Sequence, residues 1–240
     1  MSRKPVAVIT GASRGIGAGL AEILGQSGLN LGLCSRSAPA LAKGPSVVTQ
    51  ELDVTDGASI DNFCAQVFKQ FGHIDLWINN AGILDPVGPL RKLDAKDFHR
   101  NLDVNVMGVF HGSRAYAALV REQQDSGVLI NISSGAGRNG YSGWSAYCAS
   151  KAAVDLLTEC VQLEEQDAGL RAYALAPGVI DTDMQTQIRQ CTPEQFPNVE
   201  KFHELKRDDA FNTVEAVAER IQAIAFGSER PGSVRMDLRS

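Results

Sequence analysis

Short runs of aliphatic and β-branched residues alternate with longer amphipathic stretches from one end of the chain to the other. Pro5–Thr10, Leu29–Ser35, Ser46–Leu52, Ile74–Asn79, Val128–Ile132, Leu170–Ala176 and Ser233–Leu238 read as strands. Between them, apolar positions recurring every three to four residues predict helices at about 15–27, 56–71, 97–123, 146–167 and 213–226. Strands with almost no polar positions, each followed by a helix, predict an α/β fold: a doubly wound, mainly seven-stranded parallel sheet with helices on both faces. The Pro- and Gly-bearing segments Ala38–Pro45 and Gly82–Pro89 are too short for linkers, and no internal repeat appears, so residues 1–240 read as one domain. The exception to the alternation is Asp183–Asn212, which is polar, holds Pro193 and Pro197, and has little steady period. A connection that long is usually functional or disordered, and it is expected to be a lid at about 183–212.

Composition narrows the function classes. With 44% hydrophobic residues in 240, the chain has ample material for a core. Its 23 basic and 28 acidic side chains leave a net charge of −5 without a run of like charge, which argues against nucleic acid or a membrane surface as partner. Cys34, Cys64, Cys148, Cys160 and Cys191 form no CxxC pair, which fits a reducing cytoplasmic setting. Met1–Lys4 is basic like the start of a signal peptide, but only Val6–Ile9 follow as an uninterrupted apolar run, and no stretch approaches a membrane span. The four histidines sit at no metal-ligand spacing, so no metal is expected.

The first strand runs into Thr10-Gly11-Ala12-Ser13-Arg14-Gly15-Ile16-Gly17 and then a helix. Gly11, Gly15 and Gly17, with Ser13 and Ile16 between them, fall where a backbone must turn tightly and meet a pyrophosphate at a positive helix N-terminus. The same glycines also suit a plain turn, and their spacing is not the usual G-x-G-x-x-G. An NAD site of this architecture wants a carboxylate after the second strand to bond the ribose 2′-hydroxyl. That place reads Cys34-Ser35-Arg36-Ser37, with no acid. Arg36 together with Arg14 can clamp a 2′-phosphate, so NADP(H) is the expected cofactor; taken singly, each arginine equally suits a solvated surface position.

Tyr147 and Lys151 lie one helical turn apart, on one helix face. An ammonium beside a phenol favours the phenolate, and bringing a tyrosine from about 10 to near neutrality needs about 4 kcal/mol of differential stabilisation, which is expected from the lysine together with a cationic cofactor ring. Ser134 closes the fifth strand at its carboxyl end, where open α/β sheets bind ligands, and its hydroxyl can bond a carbonyl oxygen. Each residue alone also has an ordinary reading: Tyr147 as core, Lys151 as a solvated helix position.

Together these residues resemble the short-chain dehydrogenase/reductases, a Rossmann-type family of NAD(P)-dependent oxidoreductases. The resemblance rests on Thr10–Gly17, Asp53-Val54-Thr55, Asn79-Asn80-Ala81-Gly82, Asn105-Val106, Asn131-Ile132-Ser133-Ser134, Tyr147–Lys151 and Pro177-Gly178 followed by Thr182. It implies that Tyr147 is the general acid, that Lys151 lowers its pKa and holds the nicotinamide ribose, that Ser134 orients the carbonyl, and that Asn105 holds a relay water. It further implies that Ser35 and Arg36 meet the 2′-phosphate, that Asp53 and Val54 border the adenine, and that Asn80, Ala81 and Gly82 line the central cofactor wall. Pro177, Gly178, Ile180 and Thr182 would meet the nicotinamide carboxamide. On the residues alone, Asp53 also reads as a turn cap and Asn80-Ala81-Gly82 as a plain strand exit.

Gly143–Cys148, Leu163-Glu164-Glu165 and Ala176–Gln185 more narrowly resemble the sepiapterin reductase and benzil reductase branch, which reduces vicinal dicarbonyls with NADPH. That likeness implies substrate contacts for Trp144, Met184 and Asp237, the last at the place where the branch anchors a pterin ring. An aspartate at the end of the final strand also serves a purely structural duty. The chain lacks the Val-Asp-Gly-Gly tail common among acyl-carrier-protein reductases. Two other readings remain at this point: a sensor or scaffold that binds NADP(H) without turnover, and a reductase or dehydrogenase of steroids or other bulky alcohols and ketones. Gly108, Gly112, Ala115, Ala117, Ala118, Ala149, Ala152 and Ala153 permit close helix packing, either in a homodimer or onto the chain's own sheet.

Overall fold

The computed structural model describes residues 3–239; Met1 and Ser2, the start of the basic N-terminal stretch, and Ser240 lie outside the described residues. Seven parallel strands form one sheet in the order β3-β2-β1-β4-β5-β6-β7. They are β1 Val6–Thr10, β2 Asn30–Ser35, β3 Val47–Glu51, β4 Leu76–Asn79, β5 Gly127–Ile132, β6 Leu170–Ala176 and β7 Arg235–Asp237. Each lies within about two residues of its sequence-predicted place; the inner strands β1 and β5, buried on both faces, read as largely apolar runs, while the edge strands β3 and β7 are partly polar and partly exposed. In β1, Val6 and Val8 face one helical layer while Ala7 and Ile9 face the other, the period of two dividing the core.

On one face α1 Gly15–Gln26 and α8 Val214–Ala225 bury Leu20, Leu24, Val217 and Ile221; on the other α2 Gly57–Phe71 and α4 Gly108–Gln123 bury Phe63, Val67, Tyr116 and Leu119. α3 Ala95–Leu102 precedes α4, and α5 Ser145–Glu165 follows β5. Gly108, Gly112 and Ala115 turn inward: a Cβ on Gly108 would meet Val54, and one on Gly112 would collide with the Asn79 side chain. For these small residues, packing onto the chain's own sheet is the observed role. Asn79 donates to Asn131 (2.9 Å) and Asn131 to Thr158 (2.9 Å), a buried ladder tying β4, β5 and α5 together.

Two segments differ from the sequence reading. The single helix expected at 97–123 is divided by a π turn at Asp103–Met107, centred on Asn105. The aperiodic stretch 183–212 contains two helices, α6 Asp183–Arg189 and α7 Val199–Arg207, whose buried Ile188, Val199 and Phe202 face the body of the protein. Two prolines and short helix lengths hid that period.

Candidate active site

The strand order reverses between β1 and β4, and ligands of open α/β sheets bind outside the carboxyl ends of strands at such a point. A cleft of about 940 Å³ opens there, reached by the loops after β1, β2, β4, β5 and β6. It is lined at one end by Gly11, Ser13, Arg14, Gly15 and Ile16, at the other by Ser134, Trp144, Tyr147 and Lys151.

The glycine loop is built from backbone. Gly11 and Gly15 hold φ of +69° and +55°, where a side chain is strained, and a Cβ on Gly11 would lie 2.7 Å from the Ala81 Cα. Gly17 sits inside α1 against the Gly11 carbonyl and the Asn80 amide, with no room for a Cβ. α1 has no side-chain cap and no acid in its first turn, whereas Asp56 caps α2 and Thr213 caps α8. A helix end left with free N–H groups, facing a cleft through a glycine turn, fits the pyrophosphate of a dinucleotide.

Asn80 stitches this loop to β4. Its amide donates to the carbonyls of Thr10 (3.0 Å) and Gly11 (3.2 Å), while the Thr10 hydroxyl accepts from the backbone of Asn80 and Ala81. Ser35 is buried and donates to the Ser37 carbonyl (2.7 Å), which shapes the turn that carries Arg36. Arg36 lines the cleft, exposed and without a hydrogen bond among the described residues. Arg14 lines it too, and its guanidinium pairs with Asp183 of α6 at 3.3 Å. Asp53 accepts from the backbone and hydroxyl of Thr55, so it caps a turn while also lining the cleft beside Val54. Pro177, Gly178, Ile180 and Thr182 close the wall opposite, with the Asn212 amide donating to the Pro177 carbonyl (2.7 Å).

At the other end Tyr147 and Lys151 are both buried, at 8% and 5% exposed. Lys151 Nζ donates to the Ile132 carbonyl (2.8 Å) and stands 5.7 Å from the centre of the Tyr147 ring. Burial pushes the Tyr147 phenol up to about 12, with a hydrogen bond from Ser134 pulling the other way, and it lowers Lys151 to about 8, opposed by Asp155. The near-neutral phenol expected from the sequence is therefore not the state of the protein alone. Desolvation outweighs the hydrogen bond from Ser134, and the phenol keeps its proton at neutral pH, the form a proton donor needs.

Asn105 spends its side chain on the loop after β4: its amide donates to the Ile83 carbonyl (2.8 Å), to Asn101 and to Ser150, and its oxygen accepts from the Ile83 N–H. What remains for a water is its backbone, at a π turn where the regular helical ladder is interrupted.

Sequence reasoning missed three parts of this region. Asp155, one turn beyond Lys151, accepts a short hydrogen bond from Ser133 and thereby holds the strand exit that carries Ser134; the four-residue spacing was the available signal. Asn101, fully buried, anchors the carbonyls of Ile83, Leu84 and Asp85. An aromatic wall surrounds Trp144, which stacks on Phe196 at 4.3 Å and meets Tyr141, Tyr147 and Phe202 within 5.7 Å. The spacing of Val199, Phe202 and Leu205 carried a helical period that would have placed Phe202 there. Met184 lines the cleft; Asp237 does not, and Arg239 takes its place on the wall.

Comparison with known proteins agrees with this geometry. The profile of the short chain dehydrogenase family matches residues 5–192. A benzil reductase ((S)-benzoin forming) from Bacillus cereus is 31% identical over 236 residues, 93% of this chain and 95% of that one. A solved levodione reductase superposes with a TM-score of 0.86 at 27% identity, covering 99% of this chain and 97% of the other. A 3-ketoacyl-(acyl-carrier-protein) reductase from Brucella melitensis, solved with NADH, gives 0.84 at 26% identity, covering 98% and 97%. The parallel sheet with its cleft at the strand reversal, and a family match from the first strand to just past α6, establish that the chain belongs to the short chain dehydrogenase family of oxidoreductases.

Proposed function

We propose that this protein is an NADPH-dependent carbonyl reductase whose preferred substrates are vicinal dicarbonyls, benzil-like or sepiapterin-like. The observation that carries the reading is the convergence of Ser134, Tyr147 and Lys151 on one end of a cleft walled by Tyr141, Trp144 and Phe202. NADPH, when bound, supplies the hydride to the carbonyl carbon. Ser134 donates a hydrogen bond to the carbonyl oxygen, and Tyr147 passes its phenolic proton to that oxygen as negative charge develops there. Lys151 sets the field in which the phenol loses its proton, and Asn105 holds the relay water through its backbone. Gly11, Ser13, Gly15, Ile16 and Gly17 receive the pyrophosphate, Arg36 with Arg14 the 2′-phosphate, and Asp53 and Val54 the adenine.

The near-full-length likeness to a benzil reductase and the aromatic wall both favour an aryl diketone, because offset and edge-on aromatic contacts add to apolar burial. Segment 183–212 serves as a lid, supported by the ion pair from Asp183 to Arg14 and the hydrogen bond from Gln187 to Asp85 (2.6 Å), which tie α6 to two rims of the cleft. We place the protein in the cytoplasm on its free cysteines. We propose a homodimer through α4 and α5: Met107 and Phe110 at the start of α4, and Ala149, Ala152, Leu156 and Leu163 along α5, are exposed. No helix among the described residues is long and apolar enough to cross a membrane.

The test is cofactor oxidation by the purified protein with NADPH or NADH against benzil, sepiapterin, quinones, steroids and acetoacetyl thioesters. Turnover of a vicinal dicarbonyl with NADPH ahead of the other classes is the expected result. Cofactor binding without turnover of any carbonyl would return the protein to the sensor reading.

A further inference from the structure

The carboxylate expected to meet substrate is occupied by its neighbour. Asp237 Oδ1 accepts from the backbone N–H (3.0 Å) and Nε (2.9 Å) of Arg239, and Oδ2 accepts from its Nη2 (2.5 Å). The Asp237 side chain is 9% exposed, and its pKa is held below the usual carboxylate range chiefly by these hydrogen bonds from Arg239. Arg239, not Asp237, lines the cleft.

The place of that guanidinium is specific. It lies over Gly135, where a Cβ would collide with Nη2, and its Cγ stands 3.4 Å from where a Cβ on Gly178 would be. Gly135 follows Ser134, and Gly178 follows Pro177, so the fork sits between the loop that offers the carbonyl-binding hydroxyl and the turn after β6. Asp237 takes the Nε and Nη2 edge, while Nη1 has no hydrogen bond among the described residues. Asp237 matches the charge of Arg239, while Arg138 acts on both Asp237 and Asp155, and Arg235 and Lys151 act on Asp155 as well. A fork so compensated offers directed N–H donors with little net charge, which suits a neutral carbonyl oxygen better than an anion.

We propose that Arg239, oriented by Asp237, is a specificity-determining residue that receives the second oxygen of a vicinal dicarbonyl while Ser134 and Tyr147 hold the first. The inference rests on the carbonyl reductase reading above. Two oxygens on adjacent carbons require two donors side by side, and Ser134 and the fork over Gly135 are such neighbours. A hydrogen bond to the second oxygen also draws electrons from the carbon that accepts hydride. After one reduction, the surviving carbonyl lies at Arg239 rather than at Ser134, so a second reduction requires the 2-hydroxy ketone to leave and rebind reversed.

The experiment compares benzil with 2-phenylacetophenone, the same diaryl skeleton with one carbonyl replaced by CH₂, using wild type, Arg239→Met, Arg239→Lys and Asp237→Asn, with NADPH affinity as the check on folding. Arg239→Met is expected to lose about ten- to a hundredfold more kcat/KM on benzil than on the monoketone, the worth of a hydrogen bond from a charged donor. Arg239→Lys, which keeps a donor without the fork, should fall between, and it answers the question alone if the methionine variant does not fold. Asp237→Asn, which leaves the fork's charge uncompensated, should shift selectivity from benzil towards phenylglyoxylate. Equal losses on benzil and the monoketone would make Arg239 structural and overturn the proposal, as would a wild-type preference for phenylglyoxylate over benzil. Wild-type protein that reduces the monoketone as well as benzil would instead overturn the dicarbonyl reading itself.

Discussion

The two ends of the cleft are made of different material. At the dinucleotide end the walls are backbone: glycines too close to Ala81 and Gly11 to bear a Cβ, an uncapped helix terminus, and two arginines at the solvent edge. At the chemical end the walls are buried side chains drawn from β5, α5 and the segment 183–212, with Tyr147 and Lys151 both moved from their ordinary pKa values by burial. A charge in water is worth little, and the same charge in a dry site is worth a great deal. The comparison therefore predicts that single substitutions cost most at the buried end and least where the groups are solvated.

The largest effect belongs to Tyr147. Tyr147→Phe should lower kcat by about 10²–10⁴-fold while the NADPH Kd stays close to wild type, since the phenol supplies a proton and little cofactor contact. Lys151→Ala should damage both. Steady-state kinetics beside a fluorescence titration separate these outcomes, and a phenylalanine variant of near-normal kcat would remove the difference between the two ends.

At the solvated end, Arg36→Asp should weaken NADPH by about ten- to a hundredfold and narrow or reverse its preference over NADH. Arg14→Ala should do less, because in the protein alone Arg14 must first leave Asp183. Equal affinity of the wild type for the two dinucleotides would break this half of the argument.

The pH profile sharpens the contrast. Lys151 sits at about 8, so kcat/KM for reduction should fall as pH rises through about 8, while Tyr147, at about 12, remains protonated. The lysine is depressed below its unfolded value of 10.5, so the fold favours its neutral form, and this group's contribution to stability increases as pH rises from about 8 towards 10.5. Activity should thus be lost in this range without unfolding, which circular dichroism along the same pH series checks.

The smallest effect lies away from both ends. Thr213 caps α8 through its hydroxyl, which accepts from the Ala216 N–H at 3.1 Å. Thr213→Ala should cost about 1 kcal/mol of stability and lower Tm by about 2–4 °C without changing NADPH affinity. A marked change in that affinity would mean that α8 couples to the cofactor through α1, on which it packs.

Local physics governs what could be read without the fold. The inner strands announced themselves because burial on both faces leaves few polar positions, and the glycine loop and the Tyr147–Lys151 pair are close in sequence, set by backbone sterics and by the 3.6-residue turn. The absent acid after β2 was equally local. What tertiary structure decided involves groups far apart in sequence or competing for one partner. Arg14 pairs with Asp183, 169 positions away. The π turn at Asn105 accompanies hydrogen bonds to Ile83 and, fully buried, to Ser150. Trp144 finds Phe196 and Phe202 only once 183–212 folds back. Asp237 could be placed at the strand end by its position, but that Arg239 would cover it and take the cleft wall depended on the space over Gly135 and Gly178. Likewise the phenol of Tyr147 could be matched with a lysine by spacing, whereas its pKa depended on how dry the assembled site became, a property of the packed surroundings that no short stretch of residues carries.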